Sequence, residues 1–563
     1  MPPAKARTRR DEWGQKFTAV DEANAPENEE RIFNYPLGTI QRLPKTTPNL
    51  LIKIMTTTTL RRHVAAAILV CSFAALSVGA AQQPAAPSTA PRTEPEKQDY
   101  RKAMETADQR IAAEVTAHSE LMKNLEYLTT QIGPRLTGSP AMQAASQWTL
   151  QRFRDYRIDA HLETTQIAHS WTRGHDTAEI LTPINRALPI RSLGWGKATP
   201  GAVTGTVKLV EVKALSDFDK YKGQLKGAVV LEGEPDTLRP EKEEADNAYD
   251  DVIPPPRGLP EPRISFRERL QLFKLISAEQ PAVVLLDSGK WDNLFNMAGG
   301  FNRYQPSQVP MAFVSHEDYD LIYRLQQDGP VSMKVSLNGS FSAGPVPASI
   351  TVAEIKGTEF PGQRVILGGH LDSWDLGQGA LDNGTGAMAV LEAARALKAL
   401  GWQPKRTITF ILFTGEEQGG IGAETFLKNH AAEIPNMDGV LIHDTGTGKV
   451  FSVALEDEYE TAPLMTEIYR PLQEVFDLRP LSTRVFVASD HVPFMKAGVP
   501  GYFCVQKPAH YGQAHHSQAD TFDKVIPDEI NEGAALLAAW VWNVSEMPQP
   551  LPHHAASTSN DMF

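Results

Sequence analysis

The sequence predicts an α/β domain with helices on both faces of its sheet, interrupted by a mostly β insert. Residues 350–545 alternate short apolar runs with helical patterns, the order of strand–helix units in a layered sheet. Between about Ile190 and Gly344 that rhythm gives way to β-like runs separated by turns. Of 563 residues, 41% are hydrophobic and 22% charged, which is ample for a large core and excludes a wholly disordered chain. A net charge of −13 with no basic stripe excludes a nucleic-acid partner, since the chain would repel phosphates. Only two cysteines, Cys71 and Cys504, are present, so neither a disulfide scaffold nor a cysteine-ligated zinc site fits. Any metal must be held by His and carboxylates.

Taken in order, residues 55–81 have the layout of a signal peptide. Arg61 and Arg62 form its basic region, Val64–Val78 its apolar core, and Gly79 and Ala81 its small-residue cleavage site. The apolar core is shorter than the roughly 20 residues that cross a bilayer, so no stable membrane span is expected after cleavage. Export to a secreted or periplasmic location follows. Met55 then reads as the initiator, and residues 1–54, polar and aperiodic, as a non-native or disordered extension. The Pro/Ala/Ser-rich residues 82–97 read as a linker.

Met104, Ile111, Val115, Leu121 and Leu125 share one face and predict a helix over 98–128. Gly133-Pro134 ends it, and Ser139-Pro140 opens a second helix that feeds the strand-like Ala160–Thr164. The insert, 190–345, carries β runs at Val203–Val210, Gly227–Leu231, Ala282–Leu286, Met311–Val314 and Val331–Leu337, with one helix near Phe266–Ile276. Its charged, Pro-rich stretch 241–263 reads as a solvated loop. The main domain is thus discontinuous, 98–189 and 346–547, and 548–563 is a disordered tail. In its second part, strands at Val365–Gly369, Thr407–Phe413, Gly439–His443 and Gly501–Val505 alternate with helices at Gly384–Leu400, Ile421–Asn429, Ala462–Val475 and Pro527–Val544. Ala387, Val390, Leu391, Ala394 and Leu397 give the first of these helices a sheet-facing side.

Five segments of this region end a predicted strand or follow a turn with a metal-competent side chain. They are Gly369-His370-Leu371-Asp372, Leu381-Asp382-Asn383-Gly384, Thr414-Gly415-Glu416-Glu417, His443-Asp444-Thr445-Gly446, and His515-His516-Ser517 leading to Asp520-Thr521. They lie too far apart to form one local metal loop, but the strand ends of a single sheet can bring them together. Peptide hydrolysis at neutral pH needs an acidified water, a base that passes a proton to the leaving amine, and positive charge at the oxyanion. Two zinc ions and one free carboxylate meet those needs, and the segments hold two His, two terminal carboxylates, one bridge and one spare Glu.

These segments resemble the co-catalytic zinc exopeptidases, the family of bacterial leucyl aminopeptidases and glutamate carboxypeptidase. Gly368–Gly386, Gly415–Gly422 and His515–Thr521 are most similar to its carboxypeptidase Q branch, which are secreted dipeptidases. The resemblance spans about residues 100–545, and 190–345 resembles a protease-associated domain. It implies a mixed central sheet and two Zn2+ ions per chain. One ion would be held by His370 and Asp444, the other by Glu417 and His516, with Asp382 bridging and followed by a cis peptide. Glu416 would be the general base and acid, and Asp372 would orient His370 from behind. His515 is set aside because neighbouring side chains point apart. His491 and Tyr511 are candidates for contact with substrate or oxyanion. Asn383 stands where the branch pattern has Asp, and no specificity residue transfers.

The resemblance implies a dipeptide or short-peptide substrate, with a homodimer compatible because some branches dimerise. Aminopeptidase action stays open as an alternative. Two further classes, a single-zinc acyltransferase of glutaminyl cyclase type and a non-catalytic receptor-type module, share the scaffold. The insert argues against the first and the complete ligand set against the second.

Overall fold

Alternate side chains of the central strands feed two different cores, and this fixes the middle layer of the molecule. The computed structural model describes residues 93–238, 264–299, 304–486 and 488–557. The expected extension 1–54, signal segment 55–81, most of the linker, the charged loop 241–263 and the last six residues of the tail lie outside the described residues. The central sheet has seven strands: β1 (Asp159–Ile167), β2 (Val346–Ile355), β3 (Phe360–His370), β4 (Arg406–Phe413), β5 (Met437–Ile442), β6 (Val450–Ala454) and β7 (Gly501–Gln506). Their order is β1-β2-β4-β3-β5-β7-β6. The inner pairs β3–β4, β3–β5 and β5–β7 are parallel, while β1–β2, β2–β4 and β6–β7 are antiparallel, so the sheet is mixed.

Val365 and Leu367 of β3, with Ile408, Phe410 and Leu412 of β4, pack on one face. That face is covered by helices α1 (Glu94–His118), α2 (Pro140–Asp155), α3 (Thr385–Ala399), α5 (Ala462–Phe476) and α7 (Pro527–Glu546). Ile366, Ile411 and Phe413 point the other way, against α4 (Ile421–Asn429) and α6 (His491–Lys496). Each such side chain stabilises the fold by about 1.5–3 kcal/mol on burial. Because both faces are covered, the inner strands read as continuous apolar runs rather than alternating ones.

Several expectations shift. The helix expected over 98–128 begins at Glu94, inside the expected linker, and breaks at Ser119 before a short helix, Leu121–Tyr127. Ser139 does cap α2, its hydroxyl accepting from Met142 N at 3.1 Å. Strands β2 and β6 had no distinct sequence signal. Residues 551–554, expected to be disordered, pack down: Leu551 is buried and His553 donates to the Met437 carbonyl at 2.9 Å. Cys504 is buried in β7 as a free thiol.

Between β1 and β2 the chain builds a second sheet of eight strands. Its core is the parallel run Val203–Val210, Val229–Glu232, Val283–Asp287 and Met311–Val314. Two strands, Thr177–Thr182 and Arg186–Leu188, lie ahead of residue 190, where the composition changes. Besides the expected helix, Phe266–Ala278, it carries a second at His316–Asp328. Among the described residues no helix is long and apolar enough to cross a membrane.

Helices α1 and α7 meet across a buried polar pair. Asn543 donates its Nδ2 to Asp108 Oδ2 at 3.1 Å, while Asp108 Oδ1 and Asn543 Oδ1 are buried without a partner among the described residues. Burial pushes the Asp108 carboxyl up to about 8, against the hydrogen bond from Asn543. The fold therefore prefers the neutral acid. As pH rises from about 4 to about 8 the unfolded chain releases this proton while the fold keeps it, so stability falls across that window by an amount on the order of a few kcal/mol. Asp108→Asn should reduce the loss between pH 5 and pH 9 in denaturant melts; an equal loss in both proteins would remove Asp108 as its source.

Candidate metal centre

The carboxyl ends of the parallel strands are where an open α/β sheet presents ligand-binding groups. Here they present acids and imidazoles. His370 is the last residue of β3, Glu416 and Glu417 follow β4, and Asp444 follows β5. Asp382 lies in the turn Ala380–Gly384 that leads into α3, and its peptide to Asn383 is cis, as the resemblance implies. Asn383 staples that turn to the fourth segment, donating to the His443 carbonyl at 2.8 Å and accepting from Gly386 N at 3.0 Å. Gly386 is required by this close approach: a Cβ there would lie 2.3 Å from both Asn383 Oδ1 and the His443 carbonyl.

The five expected ligands converge around Asp382. Its Oδ1 is 3.3 Å from His370 Nε2 and its Oδ2 is 3.4 Å from His516 Nε2. His370 Nε2 is 3.0 Å from Asp444 Oδ1, and His516 Nε2 is 3.0 Å from Glu417 Oε2. Each imidazole thus has its own terminal carboxylate and shares Asp382. Buried Asp382 Oδ2 and Glu417 Oε1 have no hydrogen-bond partner among the described residues, so this oxygen and nitrogen set has capacity left for cations. Its donors are those zinc takes. Three overlapping groups could hold an ion: His370 with Asp382 and Glu417, His370 with Glu416 and Asp444, and Asp382 with His515 and His516.

The electrostatics agree. Burial raises the Glu416 and Glu417 carboxyls well above the usual range, helped by the neighbouring carboxylates and opposed by His370. Burial would lower His370, but the charge of Asp444 and contacts with the Asp372, Asp382 and Asp444 carboxylates hold it well above an ordinary imidazole. Asp382 is held low despite burial, because His370, His515 and His516 surround it. A dication among these groups would favour every carboxylate at once.

Asp372 does more than expected. The His370 Nδ1 contact is to its main-chain carbonyl, at 3.0 Å, while the nearer carboxylate oxygen stands 3.7 Å away. That carboxylate instead accepts from the Glu416 main-chain N–H at 3.3 Å and the Thr137 hydroxyl at 2.7 Å. One acid therefore positions both a ligand and the spare Glu.

His515 departs from its expectation. Its ring stacks on His516, centroids 3.7 Å apart, instead of pointing away, because His516 takes a left-handed φ of 57°. It is 44% exposed and 3.9 Å from Asp382 Oδ2. Tyr511 packs its ring on Gly446 beside the cluster, and burial with the charges of Asp382 and Asp444 raises its hydroxyl well above 10. His491 is buried away from solvent; its Nε2 donates to the Phe486 carbonyl at 2.9 Å and its ring meets Phe503.

Three supporting residues escaped the sequence reading. Arg135 is fully buried, donating to the carbonyls of Leu371 and Gly379 at 2.6 Å and of Gly133 and Gln378 at 3.1 Å. Burial lowers its guanidinium to about 10, against the pull of Asp520, Asp372 and Asp382. Its only sequence signal is a lone cation after Gly133-Pro134 in a neutral stretch. Asp520 accepts from Leu381 N at 2.6 Å and Asp382 N at 3.3 Å, fixing the bridging turn. Burial and Asp382 push its own carboxyl up to about 7. Asp490 is buried with both carboxylate oxygens unpaired among the described residues, and its carboxyl is raised by burial and by the charge of Glu416.

Comparison with known proteins gives a concordant picture. Residues 351–541 match peptidase family M28. Carboxypeptidase Q of Mus musculus is 30% identical over 441 residues, covering 76% of this chain and 86% of that protein. Carboxypeptidase Q of Homo sapiens is 29% identical over 445 residues, covering 77% and 87%. A peptidase M28 precursor from Shewanella amazonensis superposes with a TM-score of 0.67 at 23% identity, covering 80% of this chain and 99% of that one. A zinc aminopeptidase from Bacillus subtilis gives 0.58 at 17% identity, covering 76% and 95%. Both solved structures share the fold.

Replacing Asp520 by Ala frees two buried N–H groups that hold Asp382 in place. Zinc affinity should fall about 10- to 100-fold, the range for loss of a group that orients a ligand. Competition with a chromophoric chelator measures it, and an unchanged affinity would show that the turn holds itself.

Proposed function

The chain belongs to peptidase family M28 and is a zinc-dependent exopeptidase, and we propose that it uses two zinc ions to hydrolyse dipeptides. The observation that carries the two-ion reading is the position of Asp382, one oxygen toward His370 and the other toward His516, each imidazole backed by its own carboxylate. In this reading His370 and Asp444 hold one ion, Glu417 and His516 the second, and Asp382 serves both. Zinc supplies Lewis acidity, which activates water at neutral pH and stabilises charge developing on a carbonyl oxygen.

The protein's own groups do the rest. Glu416 accepts a proton from the attacking water and delivers it to the departing amine, a role suited to a buried carboxyl whose proton affinity is raised. Asp372 keeps Glu416 in place through its main-chain N–H. Arg135 spreads a fixed positive charge beneath the acids without touching the ligands' free lone pairs. The similarity to carboxypeptidase Q over most of both chains supports exopeptidase action, and the choice of dipeptides follows the motif resemblance of Gly368–Gly386, Gly415–Gly422 and His515–Thr521. Residues 55–81 support export, and 190–345 is proposed as a protease-associated insert.

Glu416→Gln should lower kcat about 100- to 10,000-fold with the metal content unchanged. Metal analysis beside steady-state assays checks this, and wild-type turnover at full zinc occupancy would rule out the base assignment. Substrate class is tested with free dipeptides, amino-blocked dipeptides and aminoacyl reporters, each with and without a chelator. Cleavage of free dipeptides alone, lost on chelation, is expected. Cleavage of amino-blocked peptides would mean carboxypeptidase action, and cleavage of aminoacyl reporters aminopeptidase action.

A further inference from the structure

The two halves of the donor set are held by different parts of the molecule. His370 ends β3 and Asp444 follows β5, so the central sheet itself fixes them. Leu371 N donates to the Phe413 carbonyl at 2.8 Å and His443 N to the Gly368 carbonyl at 3.2 Å, continuing the ladder past His370 and up to the residue before Asp444. Thr385 then ties the Gly446 carbonyl to the start of α3 at 3.0 Å. Among the described residues, no hydrogen bond of His370, Asp372, His443 or Asp444 reaches the second sheet.

Glu417 and His516 sit on loops gripped by residues 290–299 and Tyr304, which belong to the second sheet through the connection between its strands Val283–Asp287 and Met311–Val314. The His516 carbonyl accepts from Met297 N at 2.6 Å. Two residues on, the Gln518 carboxamide closes a reciprocal clamp, accepting from Phe295 N at 2.9 Å and donating to the Asn293 carbonyl at 3.1 Å. Lys290 Nζ donates to the Gly512 carbonyl at 2.8 Å. Trp374 meets His516 edge-on, 5.9 Å between centroids, and is backed so closely by Gly194 that a Cβ there would lie 2.5 Å from its ring. On the other loop, the buried Tyr304 donates its hydroxyl to the Gly415 carbonyl at 3.1 Å, two residues before Glu417. Gly299 lies against Gln418, where a Cβ would meet Oε1 at 2.4 Å.

We infer that the second sheet is a working part of the metal centre: Gln518, clamped on residues 293–295, and Tyr304 are positioning residues for the Glu417–His516 ion, while the His370–Asp444 ion is independent of them. This rests on the two-ion reading. Zinc held by Glu417 and His516 is accordingly the more easily lost of the two, and the second sheet sets its affinity.

The test is zinc itself, titrated against a chromophoric chelator in the full-length protein. Wild type should show two classes of site. In Gln518→Ala combined with Tyr304→Phe, one class should weaken about tenfold or more while the other stays within twofold. Tyr319→Phe is the control, since it removes a buried hydroxyl that donates to the Gly233 carbonyl at 3.0 Å inside the second sheet, away from the clamp. It should move neither class. Circular dichroism and melting temperature establish that each variant is folded, and Gln518→Ala alone carries the test if the pair is not. Equal weakening of both classes, no change in either, or the same split in Tyr319→Phe would overturn the inference. A single class in wild type would instead overturn the two-ion reading, and the clamp would then stand only if that one affinity fell in Gln518→Ala.

Discussion

Like charge in a confined space is the constraint that organises this molecule. Asp372, Asp382, Glu416, Glu417, Asp444, Asp490 and Asp520 are gathered in one region, and burial raises the carboxyls of Glu416, Glu417, Asp490 and Asp520, with neighbouring acids adding to the effect. Burying ionised carboxylates without counter-charge costs several kcal/mol apiece. A chain answers that cost by adding protons, adding cations or unfolding. Arg135 is the fixed part of the answer, a buried guanidinium whose four carbonyl partners hold it beneath the acids instead of against any one of them. Raised carboxyls and a charged His370 are the protonic part. Cation binding is the part that makes a hydrolase, because it alone turns the cluster toward water and substrate.

The sheet makes such crowding affordable. Parallel strands β3, β4 and β5 end side by side, so acids and imidazoles from remote stretches of chain arrive at one edge with no local loop forced to carry them all. Covering helices on both faces bury β4, β5 and the carboxyl half of β3, and a rigid strand end holds His370 with its Nε2 3.3 Å from Asp382 Oδ1. The turn that delivers Asp382 is held from three sides, by Asn383 on His443, by Thr385 on Gly446 and by Asp520 on two main-chain N–H groups. Position, in this centre, is a property of the ladder and its staples.

This explains what was legible in the sequence. Inner strands and their helices are long, strongly patterned and covered on both sides, so Thr407–Phe413 and Ile421–Asn429 could be read almost residue for residue. The ligands could be read because each sits next to a glycine-rich turn at a strand end. Strands β2 and β6 could not, since pairing with their antiparallel neighbours decides them more than their own composition. The break at Ser119 was hidden because apolar spacing continues through it into Leu121 and Leu125. Arg135 and Asp520 were invisible as partners for a different reason: what they bind is main chain, which carries no residue-specific signal. The stacking of His515 on His516 depends on one left-handed residue, and nothing in a string of letters reports the sign of φ.

That left-handed residue also shows why one half of the centre needs outside support. Ala509, His510 and His516 all have positive φ, at 42°, 63° and 57°, within one eight-residue loop. Each such conformation costs an L-residue about 1–2 kcal/mol relative to the right-handed region, so the loop left to itself would relax and carry the His516 ring away from Glu417. Nothing comparable burdens β3, whose extended backbone delivers His370 in its preferred state. The difference must be supplied by contacts, and beside those with the main domain the His516 loop is hydrogen-bonded to Met297, Phe295, Asn293 and Lys290 on a connection of the second sheet. Residues more than 200 positions away in sequence thus help to hold against relaxation a ligand that no strand of the central sheet carries.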